Sequence, residues 1–206
     1  EQLLGDQVAS LAVPECGTKF VRGMLEDSRP QTFSDLVRIS GFSHGTNVWL
    51  DNAQDLIKNG TCKLNEAIST RDDVMNFLIH RGMDRKHSFF VMENVRKGKG
   101  IEKRNKQGQA TTEFEAEMRE NNIPEWFIES CKKISYLFPR AHAVAYVMMA
   151  FRIAWFKVYH PLAFYAAYFS IRAKAFDLRI MTGDLKTQMT EFNRIKALDR
   201  SASPKD

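Results

Sequence analysis

The sequence predicts an all-α fold, an irregular lobe of many helices with little or no sheet. Apolar residues recur every three or four positions along most of the chain, and no stretch of four to eight residues alternates convincingly between apolar and polar. Fifteen Phe and nine Met against only six Pro also favour packed helices over a strand-rich sandwich. With 206 residues, the chain is long enough for one domain with a substantial core.

In the first half of the chain, capping residues and glycines mark the expected ends of the helices. A first short helix has an apolar face over residues 20–25. Polar side chains favour helix N-termini, and glycine favours the position after a helix. On this basis helices begin at Thr32 (with Asp35 in a capping box), after Thr70 and at Asp84, and they stop at Gly41 and near Gly82.

In the second half, a polar loop is followed by helices that begin at prolines. The loop covers residues 96–112, and proline suits the first turn of a helix because it has no N–H to leave unpaired. Further helices are expected from Thr112 with Glu115, at Pro124, at Pro139, at Pro161, and over an amphipathic stretch from Leu185 to Leu198. The last six residues are polar and expected to fray.

The most apolar stretch, residues 141–156, is expected to be a buried core helix. Arg152 interrupts it and Lys157 closes it, and it is shorter than the roughly 20 residues that span a membrane. No membrane association is predicted. Cys16, Cys62 and Cys131 are too far apart for a zinc or disulfide pattern, which favours a reducing cytoplasm, and Cys131 is expected in the core. The chain begins without Met or a signal sequence, and we expect it to be cut from a longer protein.

A basic cluster follows Val95 and suggests an anion partner. Residues 94–109 contain six Lys or Arg and one Glu, so the local charge of +5 equals that of the whole chain. Glycines at 98 and 100 allow backbone N–H groups to approach a phosphate. Composition leaves two alternatives open, a site for triphosphate or nucleic acid and a solvated loop. The cluster consists of Arg96, Lys97, Lys99, Lys103, Arg104 and Lys106.

A second group of residues surrounds the expected helix start at Pro139. A helix N-terminus attracts phosphate, and Arg140 and His142 add positive charge or hydrogen-bond donors there. Tyr146 lies four residues after His142, so both share a helix face on which a base can stack. For any single residue, the alternative of a core Tyr146 or a merely exposed Arg140 stays open.

Other catalytic patterns are missing from the sequence. Residues 40–49 (SGFSHGTNVW) form a turn-rich segment that suits a ligand or a loop, but no acid is placed to orient His44 for a hydrolase. There is no P-loop and no metal-ligand set of His and Cys. Asp72 and Asp73 fall in the first turn of a helix, where carboxylates serve the helix dipole, so two-metal catalysis by this chain alone is not expected.

Four colinear strings resemble the PolC-type alpha subunit of bacterial DNA polymerase III, the C-family replicative polymerase. The resemblance covers residues 11–178, and the FPRAHAVAY element (138–146) is its most specific part. The strings are VPECGTKFVRGML (13–25), TFSDLVRISGFSHGTNVWL (32–50), VMENVRKGKG (91–100) and PEWFIESCKKISYLFPRAHAVAYVMMAFRIAWFKVYHPLAFYAAYFSIRA (124–173).

The resemblance implies that residues 1–206 are the fingers of a DNA-directed DNA polymerase, a nucleotidyltransferase of DNA replication. It implies a leading segment after the palm (1–30), a fingers core (31–175) and a C-terminal helix with its tail (176–206). The expected substrates are dNTP and primer-template DNA. Mg²⁺ is expected in the full-length enzyme, bound by carboxylates of a palm outside this chain, with no cofactor in the fragment. A sliding clamp and other replisome proteins are expected to bind elsewhere, and the enzyme is expected to be cytoplasmic.

The resemblance also assigns roles to individual residues. It implies triphosphate contacts for a basic group and a pocket for the base pair or for base-analogue inhibitors. Asn47 stands where the family pattern leads us to expect Asp, and residues 101–112 look longer than the usual link, which suggests an insertion without a catalytic role. The triphosphate group is Arg96, Lys97, Lys99, Arg140, His142 and, more weakly, Arg81; the pocket group is Tyr146, Phe138 and Ser40.

Two alternatives from other functional classes stay open. A non-enzymatic helical module that binds nucleic acid would use the same basic cluster and would lose affinity steeply with salt. A purely structural helical lobe would respond to neither DNA nor nucleotide.

Overall fold

The computed structural model describes residues 7–174 and 177–201, and within these ranges the chain is built from α-helices. The described residues contain eleven α-helices and no strand, with three isolated β-bridges only. The all-α prediction is therefore confirmed; residues 202–206, most of the tail expected to fray, lie outside the described residues. The helices are α1 (Lys19–Ser28), α2 (Phe33–His44), α3 (Gln54–Lys58), α4 (Arg71–His80), α5 (Arg85–Arg96), α6 (Phe114–Glu120), α7 (Glu125–Lys133), α8 (Arg140–Tyr159), α9 (Pro161–Ala167), α10 (Leu178–Met181) and α11 (Leu185–Ser201).

The chain divides into two compact units, Glu1–Trp155 and Phe156–Asp206. The first unit contains α1 to α7 and most of α8, with an irregular turn at Trp49–Ala53. The second contains the end of α8 and helices α9 to α11, with a π-helical turn at Tyr168–Arg172. The predicted division into residues 1–30, 31–175 and 176–206 stays a prediction.

The core of the first unit lies between α1, α2 and helices α4 to α7. Its largest buried side chains include Phe42 of α2, Leu78 of α4 and Phe127 of α7. Phe77 stacks on Phe127 with ring centroids 4.1 Å apart and planes 15° apart. Cys131 is fully buried in the same cluster, as predicted. These apolar side chains fix the positions of the helix ends around which the candidate site is built.

The helix starts predicted from local patterns are present. Thr32 and Asp35 form the expected capping box, in which Asp35 N donates to Thr32 Oγ1 (3.2 Å) and Thr32 N donates to Asp35 Oδ2 (3.0 Å). At the start of α4, Asp73 Oδ2 accepts hydrogen bonds from the backbone N–H (2.8 Å) and the hydroxyl (3.1 Å) of Thr70. Asp84 accepts hydrogen bonds from two backbone N–H groups at the start of α5.

The predicted stop of α2 at Gly41 is wrong. Helix α2 continues through Gly41 to His44. A Cβ at position 41 would lie 2.2 Å from Ser69 Oγ and 2.7 Å from the Ser69 carbonyl oxygen. Gly41 therefore serves the close approach of α2 to the segment before α4, and it does not end the helix.

The expectation that residues 141–156 form a buried core helix is also wrong. Only one stripe of α8 is buried, formed by Ala143, Val147 and Ala150, and the first two pack with Val37 of α2. Met148, Met149 and Phe151 are exposed. By length and composition, α8 is the one helix among the described residues that would suffice to cross a membrane. It carries Arg152 and Lys157, however, and charged side chains are costly in the hydrocarbon region.

Two helix starts differ in detail from the prediction. Helix α6 begins at Phe114, and its N-terminus is capped by the carboxylate of Glu102, which accepts hydrogen bonds from the N–H groups of Phe114 and Glu115. Thr112 donates its hydroxyl to the same carboxylate and does not cap the helix itself. Pro124 occupies the N-cap of α7, with ψ 142°, one position before the expected first turn.

Candidate functional site

Residues 134–139, here called the linking segment, connect α7 to α8 and hold three other helix ends together. It contacts the residues after α2, the start of α4 and the end of α5. Because buried backbone groups need hydrogen-bond partners, these contacts fix the course of the segment. The backbone hydrogen bonds that hold it include Thr46 N to Tyr136 O (3.0 Å), Arg71 N to Phe138 O (3.1 Å) and Leu137 N to Arg96 O (3.3 Å).

The basic residues after α5 lie against this segment in what is here called the basic turn, residues 96–100. Gly98 has φ +66°, a conformation that favours glycine. A Cβ at Gly98 would also lie 2.5 Å from the Ser135 carbonyl oxygen. Both the backbone conformation and the available space therefore require glycine here. The basic turn is therefore held at Ser135, which lies three residues before Phe138 in the linking segment.

Four rings from α2, the linking segment and α8 form a continuous series, here called the ring ladder. His44 stacks on Phe138 with centroids 4.7 Å apart and planes 24° apart. Phe138 meets His142 edge-on at 4.9 Å, and His142 stacks on Tyr146 at 4.3 Å with planes 13° apart. The predicted shared face of His142 and Tyr146 is therefore present. Tyr146, 40% exposed, forms the last ring of the ladder.

The ladder is anchored at its other end by polar contacts of His44. Its Nε2 lies 3.0 Å from a carboxylate oxygen of Glu15, and its Nδ1 lies 2.8 Å from the carbonyl oxygen of Ser40. Ser40 is buried, and its hydroxyl has no hydrogen-bond partner among the described residues. Predicted pocket residues Ser40, Phe138 and Tyr146 are thus linked by contacts through His44 and His142. The turn-rich reading of residues 40–49 holds only after His44, because residues 40–44 are helical.

The start of α8 differs from the open phosphate site that a helix N-terminus suggests. Asp72, in the first turn of α4, accepts a hydrogen bond from Arg140 N at 2.9 Å. The Arg140 guanidinium lies 3.8 Å from Asp73 and is 43% exposed. The first N–H of α8 is therefore capped by a carboxylate, which opposes a second anion at that point. Arg140 itself stays accessible and carries the positive charge there.

Two basic side chains of the basic turn are held by a carboxylate one helical turn earlier. Arg96 donates from Nε and Nη2 to the two oxygens of Glu93, at 2.7 and 2.8 Å, and Lys97 Nζ lies 2.9 Å from the same carboxylate. The hydrogen bond from Arg96, followed by that from Lys97, lowers the pKa of Glu93 to about 2, and Glu93 raises the pKa of Arg96. Lys99 follows in the same turn, where its N–H donates to the carbonyl of Asn94.

Two of the later basic residues of the cluster, Lys103 and Arg104, contact α5 and their own loop respectively. Lys103 Nζ lies 3.4 Å from the ring centroid of Phe90, a cation–π contact. Arg104 donates to the Gly108 carbonyl oxygen and closes the loop tip. Lys103 and Arg104 therefore each have a partner in this part of the chain, and the insertion over residues 101–112 stays a prediction.

The weaker phosphate candidate, Arg81, does not belong to this group. It caps the C-terminal end of α4, ten residues and thus roughly 15 Å from the helix start at Arg71. Its guanidinium lies 5.3 Å from the ring centroid of Phe77.

The arrangement presents an exposed aromatic ring, an accessible guanidinium and a fixed basic turn around one linking segment. An aromatic ring can stack on a base, and cationic side chains can bind phosphate oxygens. Sequence reasoning missed the parts played by Glu93 and Asp72. Glu93 has a readable signal, since it lies three and four residues before Arg96 and Lys97. The contact of Asp72 with Arg140 spans 68 residues and has no local signal.

Residues 3–122 match the family described as the bacterial DNA polymerase III alpha subunit finger domain. The chain belongs to this finger-domain family. Among curated proteins named DNA polymerase III PolC-type, one from Thermotoga petrophila is 61% identical over 84% of this chain. Others are those of Caldanaerobacter subterraneus subsp. tengcongensis (55% over 98%) and Bacillus subtilis (52% over 100%). The predicted resemblance is confirmed.

The chain spans only about one-seventh of the length of these relatives, 14% of the Caldanaerobacter and Bacillus proteins and 12% of the Thermotoga protein. The family match ends at residue 122, so residues 134–146 are covered by the PolC-type relatives and not by the finger-domain family. These residues include the linking segment and three of the four rings of the ladder.

The polymerase family implies a catalytic metal such as Mg²⁺ in its full-length members. No group of three or more His, Cys, Asp or Glu side chains suited to a metal occurs in residues 7–174 or 177–201. The carboxylates around the ring ladder have other roles. Glu15 lies 3.0 Å from His44 Nε2, and Asp72 caps α8. Asp73 caps α4 and lies 3.6 Å from Arg38. The described residues therefore do not fit a catalytic metal site.

Proposed function

We propose that this finger domain binds the triphosphate of an incoming dNTP and the nascent base pair within a replicative DNA polymerase. The observation that supports this most is the linking segment, which joins the basic turn to the ring ladder. A nucleotide has one anionic end and one aromatic end, and this surface offers a partner for each.

Tyr146 is the proposed partner of the base pair. Its ring is exposed on one end of the ladder and is held by parallel stacking on His142. Stacking of a base on an aromatic side chain contributes about 1–3 kcal/mol and tolerates all four bases. A replicative enzyme needs this tolerance, because every template base must be served. Phe138 and Ser40 then form the inner wall of the pocket, next to His44.

Arg140, Arg96, Lys97 and Lys99 are the proposed partners of the triphosphate, together with His142. Charge-assisted hydrogen bonds to phosphate are about twice as strong as neutral ones, and arginine can make two at once. Arg140 is the most direct candidate because it begins the helix that carries Tyr146. Arg81 is the weakest, because it lies at the far end of α4.

Under this proposal the finger domain contributes positioning and charge neutralisation. Ordered cations stabilise the charge that develops on the transferred phosphoryl group, and the nucleotide is held in reactive geometry. The carboxylates that bind Mg²⁺, the primer-template path and the contacts with the clamp and replisome belong to other parts of a longer, cytoplasmic polymerase.

Steady-state kinetics of a full-length protein of this family that carries the chain tests the proposal. Arg140→Ala and Lys97→Ala are expected to raise the KM for dNTP or lower kcat, because each removes a charged contact with the triphosphate. Arg119→Ala is the matched control, since Arg119 is an exposed arginine paired with Glu115 and Glu125 on α6 and α7. If both test variants kept the wild-type KM and kcat, the triphosphate assignment would be wrong.

A second candidate, a helical module that binds nucleic acid without catalysis, is favoured by the charge of +5 over residues 94–109. It predicts that the isolated chain binds DNA with an affinity that falls steeply with salt, by a slope of about −0.9 per neutralised phosphate. Titration with duplex DNA at two salt concentrations separates this candidate from a structural lobe, which would bind at neither.

A further inference from the structure

Glu93 occupies a position between the two leading cations of the basic turn. It lies one helical turn before Arg96 and Lys97 on α5, and its carboxylate contacts both at 2.7 to 2.9 Å. The Arg96 contact is bidentate, which fixes the plane of the guanidinium as well as its distance. One carboxylate therefore sets the direction of two positive groups.

The contact leaves donors of both cations for another anion. Arg96 uses its Nε and Nη2 groups, so Nη1 faces away from Glu93. The Lys97 ammonium group has three N–H donors and lies 2.9 Å from one oxygen of Glu93, a contact that uses one of them. The Lys97 side chain is 47% exposed. An anion can thus approach the remaining donors while Glu93 stays in place.

Glu93 is ionised at neutral pH, as an ordinary glutamate is, and the hydrogen bonds from Arg96 and Lys97 lower its pKa further, to about 2. The three side chains together carry a net charge of +1, against +2 for the two cations alone. A carboxylate beside an anion site lowers the electrostatic attraction for phosphate. Glu93 can therefore favour binding only by ordering the side chains of Arg96 and Lys97 beforehand. Long exposed side chains lose conformational entropy when they bind, and side chains that are already ordered lose less.

The backbone of the same turn is ordered too. Gly98 packs on Ser135, and the Arg96 carbonyl accepts a hydrogen bond from Leu137. The side chains held by Glu93 therefore project from a backbone that is itself fixed to the linking segment.

We propose that Glu93 is a positioning residue that holds Arg96 and Lys97 in one arrangement, ready to meet the triphosphate. This inference rests on the proposed function, in which those two cations contact the nucleotide. If Glu93 instead competed with the triphosphate for these two cations, removal of its carboxylate would lower the KM for dNTP.

The test compares Glu93→Ala and Glu93→Gln in a full-length protein of this family, with dNTP as the variable substrate on a primed template. Glu93→Ala is expected to raise the KM for dNTP roughly three- to tenfold, the loss expected when two side chains must be ordered on binding. The kcat should change by less than about twofold. Ordered cations bind the ground state and the transition state equally well, and the loss of such uniform binding raises KM without lowering kcat. Glu93→Gln keeps one acceptor oxygen and should lie between wild type and Glu93→Ala.

Glu191→Ala is the matched control. Glu191 holds Arg194 through the same bidentate contact at the same spacing of three residues, on α11 of the second unit. Its KM and kcat should equal those of the wild type. A KM that is unchanged or lower in Glu93→Ala would overturn the positioning role.

An Arg96→Ala variant distinguishes the two proposals. If Arg96→Ala raises the KM and Glu93→Ala does not, the role of Glu93 is wrong and the triphosphate assignment stands. If Arg96→Ala and Lys97→Ala both leave the KM unchanged, the assignment of the basic turn fails, and the role of Glu93 fails with it.

Discussion

Replacement of Gly41 by alanine tests the close approach of α2 to the segment before α4. In an open helical position, Gly→Ala stabilises a protein by roughly 0.5–1 kcal/mol, because alanine has the higher helix propensity. At Gly41, however, the new Cβ would lie 2.2 Å from Ser69 Oγ and 2.7 Å from the Ser69 backbone oxygen. Ser69 is fully buried, and its hydroxyl donates to the Arg38 carbonyl oxygen at 2.8 Å.

The magnitude follows from these contacts. Overpacking of a well-packed site costs about 1–3 kcal/mol. Displacing the Ser69 hydroxyl weakens a hydrogen bond whose net contribution is about 0.5–1.5 kcal/mol. After the gain in helix propensity of about 0.5–1 kcal/mol is subtracted, Gly41→Ala should lower the free energy of unfolding by roughly 0.5–4 kcal/mol.

Gly23→Ala is the matched control for this substitution. Gly23 lies in the middle of α1, and a Cβ there would meet nothing within 4 Å. This variant should raise the free energy of unfolding by roughly 0.5–1 kcal/mol. Urea denaturation of the chain followed by circular dichroism measures both changes. Equal effects of the two substitutions would refute the packing of α2 described here.

Two further predictions concern the start of α8 and the thiols. Asp72→Ala should lower the free energy of unfolding by about 0.5–2 kcal/mol, because the Arg140 N–H loses its hydrogen-bond acceptor. Asp72→Asn should lower it less, since the amide oxygen of Asn can still accept this hydrogen bond. Equal losses for the two variants in urea denaturation would contradict this role of Asp72. With a disulfide thiol reagent at pH 8, Cys16 should react first in the folded chain, because it is partly exposed whereas Cys62 and Cys131 are buried. Burial raises the pKa of all three thiols, that of Cys62 to about 11. Reaction of the Cys131 thiol at the same rate as the Cys16 thiol would contradict the burial of Cys131 in the core.

The helices were predictable from the sequence wherever a local signal defines them. Thr32 with Asp35, Thr70 and Asp84 mark their helices because a cap needs only residues within three or four positions. Gly41 misled the prediction because glycine has two uses, a helix stop and a close contact, and only the neighbouring Ser69 decides between them. The burial of α8 was misjudged for a similar reason, since an apolar sequence does not say which faces have partners.

The candidate site was predictable in its residues more than in its geometry. Helical spacing places His142 and Tyr146 on one face, and their rings do stack. His44 joins the same ladder by stacking on Phe138, which lies 94 positions later in the chain. No periodicity of the sequence indicates this contact. The carboxylate of Asp72 at the start of α8 is also a tertiary contact, and it changes which groups there remain for a phosphate.

Equilibrium binding of dNTP to a full-length family member on primer-template DNA tests the central proposal most directly. Tyr146→Ala removes the exposed ring of the ladder and should weaken binding roughly 5- to 150-fold, the equivalent of about 1–3 kcal/mol of stacking. Tyr146→Phe keeps the ring and should bind within about twofold of the wild type. Wild-type affinity in Tyr146→Ala would contradict the proposal that the ring ladder receives the nascent base pair.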